Sequence, residues 1–368
     1  MNPRFIMIGG FLGAGKTTTV GRLARHFVSQ GLRVAIVTND QTTDLVDTQN
    51  LRAQGFDVGE VAGACFCCNF NELTETVEKL ASSALPDVIL AEPVGSCTDL
   101  VATVVRPLMQ VYQRPFDFSP YGVILKPSHG SRILRKDPDG GFSPKAEYIF
   151  RKQLEEADFI LINRADQLQA DEIAELTTLL NADFPDRPVL SISAKTGAGF
   201  DALLAQLENQ TAIGQRTMEL DYDIYAEGEA ELGWLNSQVA VEADSPFELD
   251  ALLLDLIARL HRQFVAANAE TAHLKTIGTC DGGYAVANAV SNHTQPELSL
   301  PSACSTKQAR IVINARVATD PEGLATMVRQ QVAEVCNAVN ARYDIATLQS
   351  FRPGRPVPTH RITATTGH

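Results

Sequence analysis

The sequence predicts an α/β domain built on a mostly parallel sheet, followed by a smaller, ferredoxin-like α+β domain. Three observations carry this. Runs that are apolar throughout, rather than alternating, recur along the first part of the chain and are separated by segments of helical period. A glycine-rich octapeptide, Gly10 to Thr17, joins the first such run to the first helix. Beyond Asp221 the alternation gives way to β-α-β-β and then β-α.

In chain order, Arg4–Ile8 is the first buried strand. Thr19–Val28 is a helix, with Val20, Leu23, Ala24, Phe27 and Val28 at helical spacing. Arg33–Thr38 is the second strand and ends in Asn39-Asp40. After a polar, helix-prone segment come a short strand at Val58–Val61, the stretch Cys65-Phe66-Cys67-Cys68, and an amphipathic helix from Asn71 to Ser82. Asp87–Ala91 is a buried strand with Glu92-Pro93-Val94-Gly95 at its end, and Tyr121–Leu125, Phe159–Ile162 and Val189–Ile192 repeat the pattern. Outside its one strand, the Pro-, Gly-, Ser- and base-rich segment 113–145 reads as a long mobile surface loop or a disordered insertion. The strand–helix alternation stops around Asn209–Asp221, which divides the chain into 1–212 and 213–368. In the second part Glu231–Glu242 is a strand and Pro246–Ala267 a helix. Strands follow near Ala272–Ile277, Tyr284–Val290 and Ala309–Ala315, then a helix from Pro321 to Asn340. From Phe351 the chain reads as a Pro- and Arg-containing tail.

Composition narrows the partners. The chain has 368 residues and a formal net charge of −13, with no basic block, which argues against nucleic acid or anionic lipid. No apolar run is long enough to span a membrane, and the first strand starts at once, with no signal peptide, so a cytoplasmic location is expected. Seven cysteines in such a chain do not make a disulfide framework. Cys97, Cys280, Cys304 and Cys336 stand singly, with packing as the default for each; the scattered His129, His273 and His360 are expected on the surface or in structural roles.

Gly10 to Thr17 fits G-x-x-x-x-G-K-[ST], the phosphate-binding loop. Phosphate oxygens need converging backbone N–H groups, so side chains are unwelcome there. The candidate phosphate contacts are Gly10, Gly13, Ala14, Gly15, Lys16, Thr17 and Thr18. Lys16 reaches the β- and γ-phosphates, and the Thr17 hydroxyl suits Mg²⁺. The plain alternative is a glycine-rich turn that holds nothing. Ligands of parallel sheets sit beyond the C-terminal strand ends, and Gly10, Asp40, Glu92, Asn163 and Ser193 all fall there.

Asn163-Arg164-Ala165-Asp166 and Ser193-Ala194-Lys195 follow consecutive strands and look like the N-K-x-D and S-A-K guanine-recognition elements of GTPases. A carboxylate such as Asp166 accepts from both guanine N1–H and the N2 amine, a donor pair adenine lacks. Arg164 stands where lysine is usual, and its guanidinium can stack on a base. Cys65, Cys67 and Cys68 offer three thiols within four residues, a soft site for Zn²⁺ or a related ion once deprotonated. In an extended segment Cys65 and Cys67 point the same way, so a bend must bring Cys68 to them. A redox cluster and simple packing are the other readings of this stretch.

Together, Gly10–Thr17, Cys65–Cys68, Glu92-Pro93 and Asn163–Asp166 resemble the CobW-type branch of metal-handling P-loop GTPases, related to the hydrogenase, urease and B12-mutase maturation GTPases. Gly233-Trp234-Leu235 and Ala272-His273-Leu274-Lys275 are similar to that family's smaller domain. The resemblance implies a P-loop NTPase domain that uses GTP and Mg²⁺ and delivers zinc or cobalt to a client metalloenzyme or cofactor-assembly protein. It implies Cys65, Cys67 and Cys68 as metal ligands, and Lys16 and Thr17 at phosphate and Mg²⁺. It places Asp40 in a switch segment near the γ-phosphate and Glu92 on the Mg²⁺ side, so that Lys16, Asp40 and Glu92 are the candidate catalytic residues. A homodimer is compatible with it. Three departures bear on the metal and the client: Gly63-Ala64 before Cys65, Asn69, Phe70 and Asn71 with no basic residue after Cys68, and no histidine-rich tract. Alternatives are a GTPase switch that guards a cofactor-dependent (B12-type) enzyme without carrying metal, a small-molecule kinase and a thiol redox sensor. No arginine finger or water-orienting glutamine is identifiable, so slow hydrolysis without a partner is expected.

Overall fold

The computed structural model describes residues 2–39, 46–81, 85–112, 115–137, 142–209 and 213–363. The chain divides into two compact units, one formed by 1–43, 54–226 and 355–368, the other by 44–53 and 227–354. Among the described residues, no helix is long and apolar enough to cross a membrane.

The first unit is a P-loop NTPase fold. Its elements begin with β1 (Arg4–Gly10), α1 (Lys16–Ser29) and β2 (Val34–Asn39). After α2 (Val46–Ala53), which belongs to the second unit, come β3 (Asp57–Val61), α3 (Phe70–Leu80), β4 (Val88–Glu92) and α4 (Arg106–Gln110). Then follow β5 (Asp117–Phe118), β6 (Gly122–Leu125), α5 (Pro127–Leu134), α6 (Pro144–Glu156), β7 (Phe159–Ile162), α7 (Ala170–Asp183), β8 (Val189–Ser191) and α8 (Phe200–Leu207). The sheet order is β3-β2-β4-β1-β6-β7-β8, with β5 also on β1, and every pairing is parallel. The uninterrupted apolar strands follow from this: with helices on both faces no strand side faces water, so Phe5, Ile6, Met7 and Ile8 are all buried, as are Phe159–Ile162.

The segment 113–145 is not the mobile loop its composition suggests. Apart from 113–114 and 138–141, which lie outside the described residues, it forms β5, β6 and α5. Pro127, His129, Gly130, Ile133 and Leu134 on α5 are buried. A Cβ on Gly130 would come within 2.7 Å of the Leu125 side chain, so a larger residue there requires Leu125 to shift. Ser143 then caps α6 by accepting from the amides of Lys145 and Ala146.

The second unit holds β9 (Gly233–Glu248), α10 (Leu249–Ala266), β10 (Thr271–Cys280), β11 (Gly283–Ala289), β12 (Glu297–Leu300), β13 (Ser305–Val317), α11 (Pro321–Ala338) and β14 (Ala341–Phe351). The chain enters it through α9 (Tyr222–Ala230). Its antiparallel sheet runs β12-β11-β10-β13-β9-β14, the ferredoxin-like order with a β11–β12 hairpin at one edge. One face packs α10 and α11 through Leu253, Ile257, Leu260, Val328 and Val332 against Ile311, Ile313 and Ala315. Side chains alternate along a strand, so Ile277, Val286 and Val312 point to the other face. There they meet Val46 of α2. Asn314 Oδ1 accepts the Val46 amide at 3.1 Å, and Lys275 Nζ pairs with Asp47 at 2.6 Å.

Three further expectations are corrected. β12 and β14 are strands the sequence pattern did not reveal; β14 is an edge strand whose residues are mostly exposed, so it carries no hydrophobic signature. Cys280 and Cys304 do not stand singly but form a disulfide between the end of β10 and the start of β13. The chain after Phe351 is no loose tail: residues 355–363 return to the first unit, where the Thr359 and Ile362 amides donate to Cys67 O and Ala102 O at 2.8 Å.

Candidate nucleotide and metal site

The phosphate loop leaves β1 at the centre of the sheet, between β4 and β6. Gly13 and Gly15 adopt φ of 72° and 99°. A Cβ on Gly15 would lie 2.3 Å from Asn163 Nδ2, so glycine is required both by φ and by this approach. Lys16 Nζ donates to Gly10 O at 2.9 Å and Phe11 O at 3.4 Å, closing the loop on itself at the start of α1. Thr17 Oγ1 donates to Glu92 Oε1 at 2.8 Å. This joins the first turn of α1 to the end of β4, with both residues buried. Thr18 is exposed and Ala14 buried.

Asn163 ties the phosphate loop to the second recognition loop. Its Nδ2 donates to Ala14 O at 2.8 Å, and its Oδ1 accepts the Ala194 amide at 3.0 Å. The two loops also join where the Ala165 amide meets Ile192 O. Ser193 Oγ accepts from the Thr196 amide, and Arg22 on α1 donates to Ala194 O and Lys195 O at 2.8 and 2.6 Å. Arg164 takes a left-handed φ of 62°, and its Nη1 donates to Gln167 Oε1. Asp166 and Lys195 are exposed at the ends of β7 and β8. Asp40, the predicted switch residue, lies outside the described residues.

The cysteines sit in a tight turn after β3. The Cys68 and Asn69 amides both donate to Cys65 O, at 3.0 and 2.9 Å, and this turn swings Cys68 round to the other two thiols. The sulfurs stand 2.9 Å (Cys65–Cys67), 3.1 Å (Cys65–Cys68) and 3.7 Å (Cys67–Cys68) apart. Hydrogen bonds from Cys67, then Cys68 and Cys97, hold the Cys65 thiol well below its ordinary pKa. The bond to Cys65, aided by burial, pushes Cys67 well up, and the same bond raises Cys68 to about 11. Three sulfurs gathered in one turn make a soft-metal donor set.

Sequence reasoning missed two contributors. Asn39 fixes the entry to the cysteine turn: its Nδ2 donates to Val61 O (2.9 Å) and Ala64 O (2.7 Å), and its Oδ1 accepts the Phe66 amide (2.7 Å). An asparagine closing a buried strand was the available signal. The returning segment 355–363 lies over the turn, with the Val357 amide on Cys68 Sγ at 3.2 Å, Thr359 Oγ1 on Cys68 O, and the His360 ring edge-on to Phe70. Arg361 anchors it to buried Asp99 at 2.6 Å.

Comparison with known proteins agrees with this anatomy. Residues 4–191 match the family model described as CobW/HypB/UreG, nucleotide-binding domain. The chain is 28% identical over 210 residues to the zinc chaperone CobW of Pseudomonas aeruginosa, covering 49% of this chain and 53% of that protein. It is 29% identical over 164 residues to the zinc chaperone YeiR of Escherichia coli, covering 44% and 46% respectively. It thus spans about half the length of these curated relatives. Among solved structures, Zn(II)-bound YjiA GTPase from E. coli superposes over 91% of this chain and 99% of that one, at 16% identity and a TM-score of 0.37.

Proposed function

The chain belongs to the CobW/HypB/UreG nucleotide-binding family, and from that premise we propose that it is a GTP-hydrolysing metal chaperone. Its nucleotide state governs the binding and release of zinc, or of a similar ion such as cobalt, at Cys65, Cys67 and Cys68. The observation that carries this reading is the gathering of three sulfurs within 4.8 Å of one another. Their turn is pinned by Asn39, the residue directly before the switch position Asp40. A phosphate-site change that moves the end of β2 therefore moves the cysteine turn. The relatives' description as zinc chaperones supports zinc as cargo.

The nucleotide contacts follow from the loop. Lys16 releases Gly10 O to meet the β- and γ-phosphates, the loop amides cradle the phosphate oxygens, and Asp166 accepts from the guanine edge with Arg164 stacked on the base. The Thr17 hydroxyl and Glu92 carboxylate, 2.8 Å apart, are hard oxygen donors of the kind Mg²⁺ takes. These two would hold Mg²⁺, whose chemistry is to neutralise charge on the phosphates. Asp40 is assigned to the switch beside the γ-phosphate. Turnover without a partner is slow in this reading, and the client is a metalloenzyme or cofactor-assembly protein.

Zinc titration of the chain and of the Cys65→Ser, Cys67→Ser, Cys68→Ser triple variant tests the assignment. The parent chain is expected to bind about one tight equivalent, lost in the variant. Equal binding by both overturns the chaperone role for this turn.

A further inference from the structure

Guanine and adenine differ along one edge: guanine carries an acceptor at O6 and donors at N1 and N2, adenine a 6-amino donor and no donor at N1. Reading that difference needs a rim whose own donors and acceptors stand still, because a loop free to shift by about an ångström pairs with either base.

The loop after β8 is a closed unit. The Ser193 amide donates to Ala198 O at 2.9 Å, the Gly197 amide to Ser193 O at 2.8 Å and the Thr196 amide to Ser193 Oγ at 3.0 Å. Two side chains from outside hold it in place. Asn163 accepts the Ala194 amide, and Arg22 takes the other side of the same residue. Its Nε donates to Ala194 O at 2.8 Å and its Nη2 to Lys195 O at 2.6 Å. A planar guanidinium with donors on two successive carbonyls fixes direction as well as distance. Arg22 is itself confined. Its guanidinium carbon lies 5.4 Å from the centre of the Phe200 ring, and a Cβ on Gly197 would stand 2.7 Å from Nη1. Arg22 follows Lys16 by six residues, about 9 Å along α1. One helix therefore carries the lysine of the phosphate loop at its start and the clamp of the base-side loop near its middle.

We propose that Arg22 is a positioning residue for base selection. By clamping the Ser193–Lys195 loop to α1 it fixes the base-side rim at a set distance from the phosphate loop, and so sets the preference for guanine over adenine. The inference rests on the guanine-nucleotide reading of the site and deepens it. Arg22 acts through the loop and not on the base. Phosphate contacts belong to Lys16, Thr17 and the loop amides at the start of the helix. Loss of the clamp loosens recognition of the base and leaves the phosphate grip in place.

Equilibrium binding of GTP and of ATP to the chain, each with Mg²⁺, gives the ratio that decides it. The parent chain is expected to prefer GTP; no preference overturns the guanine reading and this proposal together. Arg22→Met keeps the length of the side chain and removes both donors. It is expected to weaken GTP by about tenfold while ATP stays within about twofold. Arg22→Lys, a point donor that serves one carbonyl at a time, is expected to fall between parent and Arg22→Met. A merely structural role, or a general loss of positive charge, weakens both nucleotides together. Parallel loss of GTP and ATP, or the parent's ratio kept in both variants, refutes the role of Arg22 and leaves the guanine reading standing. Circular dichroism checks folding; if Arg22→Met does not fold, Arg22→Lys alone decides, and an unchanged ratio there refutes the proposal.

Discussion

Asn39 occupies the last position of β2 and spends its whole amide on the entry to the cysteine turn, making three hydrogen bonds with Val61 O, Ala64 O and the Phe66 amide. Replacing it by alanine strands those backbone groups in a buried setting, at a cost of about 1–3 kcal/mol. Asn39→Ala is therefore expected to lower the urea midpoint and to weaken zinc binding while sparing nucleotide affinity; unaltered zinc binding would detach Asn39 from the site. Asp158 carries a pH prediction. Burial raises its carboxyl from 3.8 to about 6, against the Tyr121 amide bond and Arg216 at 4.0 Å. A carboxyl raised in the folded state costs nothing below its unfolded value. The cost grows as pH climbs through that value toward 6, and is complete above it. Two units correspond to roughly 3 kcal/mol, so Asp158→Asn is expected to narrow the stability gap between pH 5 and pH 7.5, measured by urea unfolding. The phosphate-loop residues were legible because their spacing is local and their chemistry is shared by every loop of that kind. Asn39 was not, since it acts on partners some way along the chain, and a lone Asn carries no pattern.

Among the elements, the parallel strands were legible because burial on both faces leaves a continuous apolar run, as in β1 and β7. Composition misled at α5, where Ser128, Gly130 and Ser131 resemble loop residues but Gly130 is the close approach that seats the helix. It misled again at β14, an exposed edge strand, and at the returning segment 355–363, which is held by backbone hydrogen bonds and by the ion pairs Arg355–Asp223 and Arg361–Asp99 more than by apolar side chains. That segment makes a prediction. Ending the chain after Gly354 removes the segment whose Val357 amide and Thr359 hydroxyl lie on Cys68, and so is expected to speed Cys68 alkylation in the metal-free protein by uncovering the thiol. An unchanged rate, read by mass spectrometry, would show that the segment does not shield the turn. The turn between β4 and α4 makes another. Gly95→Ala forces its Cβ onto the Leu12 backbone, and overpacking of about 1–3 kcal/mol is expected together with weaker GTP binding. Normal GTP affinity in that variant would separate the turn from the phosphate loop.

For the whole molecule, the sequence pattern distinguishes two kinds of sheet, because the regular alternation of buried strands with helices gives way beyond Asp221 to β-α-β-β and β-α, an order that suits an antiparallel sheet. It cannot show that residues 46–53 fold with the second unit or that 355–363 return to the first. Those placements depend on single partners such as Asn314 for the Val46 amide and Asp99 for Arg361. The central claim is thermodynamic: occupancy of the phosphate loop and affinity for the ion are linked, and the linkage is reciprocal. Zinc titration of the chain with Mg²⁺ and either GDP or a non-hydrolysable GTP analogue measures it most directly. The account predicts affinities that differ by about tenfold or more between the two nucleotides, with the difference abolished in Lys16→Ala. Identical zinc affinity in both nucleotide states, with both nucleotides shown to be bound, would contradict it.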